Sequence, residues 1–228
     1  MKRFFSLVVA GTCMALQLQA QEKVCTKQEL MMDVYDIGSV KFGDFMLKVT
    51  DGFMSTPIYL DLRRIMSHPE LMKKVVTMMH EAVRTVSYDV VCGVPSAAIP
   101  YAAVFSAQTN KPLIMSRQTM KHHGMCQSVE GDYHKGQRVL LFEDVMVSGA
   151  SIGSAVETLR KEGLIVEDVV VLCDRQQGGM RHVAQECGVR VHVIFTLEEL
   201  LELLEQEEKI DHHTAELVRT YIAHNQCS

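Results

Sequence analysis

Two adjacent acids, Glu143 and Asp144, stand between an apolar run, Val139–Phe142, and a turn of small residues. The turn consists of Ser148, Gly149, Ala150 and Ser151. Backbone amides at the start of a helix bind phosphate well, and small residues let the phosphate approach them. Carboxylates beside that phosphate suit sugar hydroxyls or a magnesium ion. The spacing therefore predicts a sugar-phosphate site with both acids exposed toward a pocket at the end of a strand; a plain turn with solvated charges is the alternative.

The segments around this turn predict an α/β fold with a parallel sheet covered by helices. Helical patterns alternate with apolar runs that suit strands buried on both faces, at 89–94, 112–115, 139–142, 169–173 and 191–195. A helix is predicted over 151–162. Ser67–Glu70 and Thr196–Glu199 are capping boxes that predict two more helix starts, the first helix running to about Arg84.

The composition limits the classes of function. The chain has 228 residues, of which 47% are hydrophobic and 22% charged, as in a globular domain. Its net charge of −5 argues against a nucleic-acid-binding protein. The seven cysteines show neither CxxC pairs nor Cys/His ligand spacing, which argues against a zinc site and a thiol redox protein. Cys92 and Cys173 lie in apolar runs and are predicted to be buried thiols.

Residues 1–20 are predicted to be a signal-like or disordered extension, and residues 29–228 the domain. A basic pair, an apolar run over 4–16 and Gln19-Ala20 resemble a secretory signal. The alternative is a misassigned start, with Met31 or Met32 as later starts. The apolar run is too short to span a bilayer, so no stable membrane association is expected. Two locations stay open: the cytoplasm, or secretion if the signal is real.

The strand, acids and turn over 139–151 resemble the signature with which type I phosphoribosyltransferases bind phosphoribosyl pyrophosphate (PRPP). Further segments resemble the orotate phosphoribosyltransferases, at 35–37, 41–45, 47–48, 55–63, 92–95, 129–131 and 174–179. The similarity covers about residues 29 to 224 and is strongest to the phosphoribosyltransferase half of animal-type UMP synthase; the Asp-x-Lys-x-x-Asp motif of the decarboxylase half is absent from the sequence. The resemblance implies a Rossmann-like, mostly parallel sheet flanked by helices, with a small N-terminal hood.

The resemblance also implies an activity. The enzyme would transfer the phosphoribosyl group of PRPP to orotate, giving orotidine 5′-phosphate and pyrophosphate in pyrimidine (UMP) biosynthesis, with Mg²⁺ as cofactor. A homodimer that shares a loop across subunits is implied. Matched to the family, the catalytic residues are Lys121, His123 and Asp144, and Asp144 would meet the metal indirectly, through Mg-PRPP. The implied substrate ligands are Lys48, Arg117, Glu143, Ser148, Gly149, Ala150, Ser151 and Arg175.

Some residues depart from the family pattern. They are Ser96, Gln118, His122, Val147 and Ala150, and the chain is also slightly longer between Lys48 and Pro57. Gln118 removes one cation from the leaving-group cluster, and Val147 and Ala150 remove two hydroxyl donors from the phosphate turn. A catalytically weakened PRPP- or nucleotide-binding pseudoenzyme with a regulatory or secreted role is therefore the alternative function. Apart from the resemblance, 121–124 could be an exposed loop, Lys48 a surface lysine and Asp174-Arg175 a local ion pair.

Overall fold

The computed structural model describes residues 25–49, 52–117 and 128–227, with side chains except at 47–49 and 52–54. The helices are α1 (Lys27–Asp36), α2 (Pro69–Ala82), α3 (Ile99–Thr109), α4 (Ala150–Lys161), α5 (Gly179–Gln185), α6 (Leu197–Gln206) and α7 (His212–His224), with a 3-10 helix at Leu62–Ser67. The strands are β1 (Val40–Val49), β2 (Gly52–Leu60), β3 (Val90–Gly93), β4 (Leu113–Ser116), β5 (Val129–Glu130), β6 (Arg138–Met146), β7 (Ile165–Asp174) and β8 (Arg190–Thr196).

A six-stranded sheet with the order β5-β4-β3-β6-β7-β8 forms the centre of the fold. All neighbouring strands are parallel except the β4–β5 pair, which is antiparallel. Every residue of β3 is buried, as are Val139–Glu143 on β6, because helices cover both faces. The predicted α/β fold with a mostly parallel sheet is confirmed. Successive strands are added on opposite sides of the β3–β6 pair, and ligands bind at the carboxyl end of such a switch point.

A separate antiparallel hairpin, β1–β2, precedes the six-stranded sheet in the sequence and corresponds to the implied hood. Helix α7 packs against β2, and α1 packs against α2 and α6. Helix α1 begins with a capping box: the Thr26 hydroxyl accepts from the Glu29 amide (3.1 Å), and the Glu29 carboxylate accepts from the Thr26 amide (2.9 Å). These elements join the first and last thirds of the described chain.

One of the two predicted capping boxes is wrong. Ser67 is the last residue of the 3-10 helix, and the residue that precedes α2 is His68, which makes no side-chain cap. A residue already in a helical turn cannot take the extended conformation of an N-cap. The second box is confirmed, since the Thr196 hydroxyl accepts from the Glu199 amide (3.2 Å) and the Glu199 carboxylate accepts from the Thr196 amide (2.8 Å).

The two predicted core thiols, Cys92 and Cys173, are fully buried. Burial in apolar surroundings raises the pKa of both, so neither forms a reactive thiolate near neutral pH. Among the helices of the described ranges, none combines the length and the apolar character that crossing a membrane requires.

Candidate active site

Strand β6 carries both acids close to its carboxyl end, and it runs further than predicted, to Met146. Asp144 is half-buried, whereas Glu143 is 4% exposed. The prediction that both acids are exposed is therefore wrong for Glu143. The first turn of α4 brings Ser151 onto Glu143, and the Ser151 hydroxyl donates to Glu143 Oε2 at 2.7 Å.

The environment of Glu143 favours its protonated form. Burial raises its pKa to about 8, and the adjacent Asp144 charge acts in the same direction. The hydrogen bond from Ser151 opposes the shift but does not cancel it. Near neutral pH, Glu143 therefore keeps its proton in the ligand-free protein, while Asp144 is the more accessible carboxylate.

This pKa predicts how stability depends on pH. Because the folded state binds the proton more tightly than the unfolded state, the free energy of unfolding should fall as pH rises from about 4.5 to about 8. The contribution of Glu143 is at most about 1.4 kcal/mol per pH unit. Urea unfolding of the wild type and of Glu143→Gln across this range isolates it, since the two proteins differ only at this residue. Parallel stability curves would contradict the raised pKa.

The turn between β6 and α4 is shaped to present backbone amides. Gly149 is the residue before α4, at a φ of 78°, and contributes no side-chain cap. The Ser148 hydroxyl accepts a hydrogen bond from the Ala150 amide at 3.3 Å. Since the amides of the first helical turn have no intrahelical acceptor and the positive end of the dipole lies here, the turn suits an anion.

Close backbone packing joins this turn to the loop after β7. A Cβ on Gly149 would lie 2.6 Å from Val183 Cγ2 and 3.1 Å from the Gly179 carbonyl oxygen. A Cβ on Gly179 would lie 2.7 Å from the Val147 carbonyl oxygen, and the Gly179 amide donates to that oxygen at 3.0 Å. Both glycines are required by this approach, and the two loops form one unit.

We therefore expect Gly179→Ala to disturb the phosphate turn. The added methyl group collides with the Val147 backbone, which cannot move without moving the turn. The Michaelis constant for a phosphorylated substrate should rise by about tenfold, the equivalent of roughly 1.4 kcal/mol. Gly153→Ala is the control, because it lies within α4 and its Cβ would meet only side-chain atoms at ordinary contact distances, Cys187 Sγ at 3.4 Å and His182 Nε2 at 3.5 Å. Equal effects of the two changes would contradict this account of the turn.

Arg175 follows β7 and lies beside the end of β6, where its amide donates to the Met146 carbonyl oxygen at 2.9 Å. The residue is 7% exposed, and its Nε and Nη2 atoms have no hydrogen-bond partner in the described part of the chain. Burial lowers the pKa of its guanidinium. No ion pair joins it to Asp174, which instead accepts from the Gln176 amide at 2.9 Å. An unpaired buried cation is costly, and an anion that pairs with it reduces that cost.

The loops after β3 and β4 end at the same edge of the sheet. The Val94 amide donates to the Phe142 carbonyl oxygen at 2.9 Å, so the loop with the exposed Ser96 adjoins the acid pair. Arg117 directly follows β4, but its guanidinium forms an exposed ion pair with Glu130. The structure thus brings this edge together from four loops, and the ion pair of Arg117 was not predicted.

The remaining predicted site residues lie on the hairpin or outside the described residues. Lys48 lies on β1 opposite Phe53, near the turn of the hairpin. Lys121 and His123 fall outside the described residues, as do the departures Gln118 and His122. Their proposed roles stay predictions.

Sequence comparison places this geometry in a family. Residues 61–202 match the profile of the phosphoribosyl transferase domain. UMP synthase of Bos taurus is 39% identical over 198 residues, which are 86% of this chain and 40% of that protein. Orotate phosphoribosyltransferase of Pyrobaculum islandicum is 33% identical over 192 residues, or 84% of this chain and 97% of that protein. The chain thus spans about two fifths of UMP synthase but nearly all of the shorter relative.

Solved structures agree with the sequence comparison. UMP synthase of Leishmania donovani matches with a TM-score of 0.77 at 32% identity. The match covers 87% of this chain and 42% of that protein. Orotate phosphoribosyltransferase of Aeropyrum pernix matches with a TM-score of 0.66 at 31% identity, and the match covers 77% of this chain and 98% of that protein. The family match and these structures identify the parallel sheet, with its acids and anion-binding turn, as a phosphoribosyltransferase domain. Within that class, the chain belongs to the orotate phosphoribosyltransferase family, as the sequence predicted.

Proposed function

We propose that this chain joins orotate to the ribose of PRPP, forming orotidine 5′-phosphate and pyrophosphate in UMP biosynthesis. One observation carries the proposal: Asp144, the turn at 148–151 and Arg175, two of whose nitrogens have no partner among the described residues, lie at one edge of the sheet. The pseudoenzyme alternative rested on altered loop residues, Val147 and Ala150 among them. The backbone amides of the turn remain, and each relative compared above carries the name of an enzyme.

The groups at this edge match the charges of the reaction. Displacement at the ribose carbon builds positive charge on the sugar and negative charge on the leaving pyrophosphate. The turn at 148–151 would hold the 5′-phosphate through its amides. The Ser148 hydroxyl would donate to it directly, and the Ser151 hydroxyl would donate to it after releasing Glu143. Asp144 would accept hydrogen bonds from the ribose hydroxyls. Arg175 would bind the orotate carboxylate with its planar fork, after its side chain turns toward the crevice.

Mg²⁺ would arrive with the pyrophosphate rather than occupy a protein cage. Within 25–49, 52–117 and 128–227, no group of three or more His, Cys, Asp or Glu side chains could hold a metal ion. Asp144 is the accessible carboxylate of the acid pair, and a single carboxylate fits an ion carried mainly by the substrate. The bound ion would neutralise charge on the pyrophosphate. Asp144 would contact it indirectly, as part of Mg-PRPP.

Cations around the leaving group complete the proposed site. We assign Lys121 as the catalytic cation, with Arg117 and His123 as pyrophosphate ligands and Lys48 near orotate and PRPP. Arg117 must exchange Glu130 for pyrophosphate, which costs little because an exposed ion pair contributes only about 0–1 kcal/mol. The assignment of Lys121 implies a homodimer, in which the loop that carries Lys121 reaches the active site of the other subunit. We place the reaction in the cytoplasm, and secretion through residues 1–20 is the alternative.

A direct assay tests the proposal. Purified protein is mixed with orotate, PRPP and Mg²⁺, the loss of orotate absorbance is followed, and orotidine 5′-phosphate is identified by mass spectrometry. Reactions without PRPP, and with uracil in place of orotate, are the controls. Product that requires PRPP and orotate supports the proposal. A folded protein that binds PRPP but forms no product would favour the pseudoenzyme alternative.

A further inference from the structure

We propose that the C-terminal tail, Asn225–Cys227, is a positioning element for the loop that carries Arg175, and that it thereby sets the affinity for the base. The proposal rests on the proposed function, in which Arg175 binds the orotate carboxylate. The tail follows α7, far from β7 in sequence, and touches neither the acid pair nor the phosphate turn in any hydrogen bond between described residues.

Three hydrogen bonds join the tail to the residues directly after Arg175. The Cys227 amide donates to the Gln177 carbonyl oxygen at 2.8 Å. In return, Gln177 Nε2 donates to the Asn225 carbonyl oxygen at 2.9 Å. Gln226 Nε2 donates to the Gln176 carbonyl oxygen, also at 2.9 Å. The tail therefore satisfies the backbone of this loop much as a neighbouring strand would.

The contact is close as well as polar. Gln177 is 2% exposed, so its hydrogen bond to the tail is shielded from water. Gly178 has a φ of 99°, and a Cβ there would lie 2.5 Å from the Cys227 carbonyl oxygen. The tail thus packs directly against the backbone at Gly178, which has no side chain, and the loop cannot move toward the tail.

The tail restrains the part of the loop that the sheet leaves free. The loop is fixed at its start by the hydrogen bond from the Arg175 amide to Met146 and at its end by that from the Gly179 amide to Val147. The tail holds the residues between these two points. Two nitrogens of the Arg175 guanidinium have no partner among the described residues and are free to bind a carboxylate. If the backbone of the loop is already fixed, only rotation of the Arg175 side chain has to be restricted when the carboxylate binds. Restricting the loop beforehand lowers the entropic cost of binding.

A second link connects the tail to the hood. The Asn225 amide and its side-chain Nδ2 both donate to the Tyr221 carbonyl oxygen, at 3.0 and 2.8 Å, which fixes the tail to the last turn of α7. Helix α7 in turn packs against β2 of the hairpin. Lys48 lies on the partner strand of β2, so the tail joins the base loop to the element that carries another proposed ligand.

The test compares the Michaelis constants for the two substrates in tail variants. Gln226→Ala removes the hydrogen bond to Gln176 together with that from Gln226 Nε2 to the Ile222 carbonyl oxygen. Gln177→Met removes the bond to Asn225, and a chain ending at His224 removes all three bonds between the tail and the loop. We expect the constant for orotate to rise about 3- to 10-fold in each point variant, with the constant for PRPP changed less than about 2-fold. Gln206→Ala, which deletes the same amide from an exposed glutamine at the end of α6, should change neither constant.

Combination with Arg175→Ala shows whether the tail acts through Arg175. If it does, Gln226→Ala should raise the orotate constant in the wild type but cause no further rise in the Arg175→Ala background. Equal changes for both substrates, a lower orotate constant in the tail variants, or an additive effect with Arg175→Ala would overturn the proposal. If Arg175→Ala raises the orotate constant while the tail variants do not, only this inference fails. If Arg175→Ala leaves the constant unchanged, the assignment of the base site fails first. Should the shortened chain not fold, the two point variants decide.

Discussion

Arg175→Ala should raise the Michaelis constant for orotate by about one to two orders of magnitude and leave that for PRPP nearly unchanged. The expected size is that of a charge-assisted hydrogen bond, about 1.5–3 kcal/mol. The guanidinium is buried beside the end of β6, and two of its nitrogens lack partners in 25–49, 52–117 and 128–227, so the carboxylate would be its main counter-charge. Steady-state kinetics with each substrate varied in turn measures the effect.

Two further arginine variants sharpen this test. Arg175→Lys keeps the charge but loses the planar fork, so the orotate constant should lie between those of wild type and Arg175→Ala. Arg181→Ala removes an exposed arginine from α5 and should change neither constant. Equal increases for orotate and PRPP in Arg175→Ala would mean that the base lies elsewhere on the sheet edge.

Asp144→Asn should lower kcat/KM for PRPP by about two orders of magnitude. Asp144 is the half-buried member of the acid pair and the one proposed to accept from the ribose hydroxyls. An amide keeps the shape but replaces one acceptor with a donor and removes the charge. The melting temperature should change little, because within the described residues no ion pair involves this carboxylate. Asp132→Asn, at an exposed position before β6, is the control. A fall in melting temperature without loss of activity would assign Asp144 a structural role.

Asp144→Asn, combined with a change at Lys121, also tests whether the loop that carries Lys121 is shared between subunits. Lys121→Ala should lower turnover more than binding, since pyrophosphate gains charge in the transition state. If Lys121 reaches the neighbouring site, inactive Lys121→Ala and inactive Asp144→Asn chains mixed together should recover activity, because each mixed dimer has one intact site. Gln118→Lys should raise turnover by restoring a cation. Mixed dimers without activity would contradict only the sharing of the loop.

If wild type, Gln118→Lys and Val147→Thr were folded and all inactive, the enzymatic proposal would be wrong.

Several features of the fold were predictable because their causes are local. The continuous apolar run of 169–173 is typical of a strand buried on both faces, and β7 contains it. Thr196 and Glu199 are three residues apart, so the reciprocal capping bonds depend only on a helix starting there. The acids at 143 and 144 were placed correctly near the end of a strand for the same reason. Local pattern failed at Ser67, where a 3-10 helix occupied the position of the predicted cap.

The alternation of strands and helices, the small-residue turn and the family could all be predicted, because each depends on residues adjacent in the chain. The burial of the charges and the contacts that fix the loops became visible in the folded protein and not before. The first turn of α4 places Ser151 against Glu143, and burial raises the pKa of this acid, which was expected to be exposed. The tail reaches Gln176 from 50 residues away. Such contacts depend on the path of the whole chain, and burial, which sets the cost of charge at Glu143 and Arg175, is a property of that path rather than of local residue types.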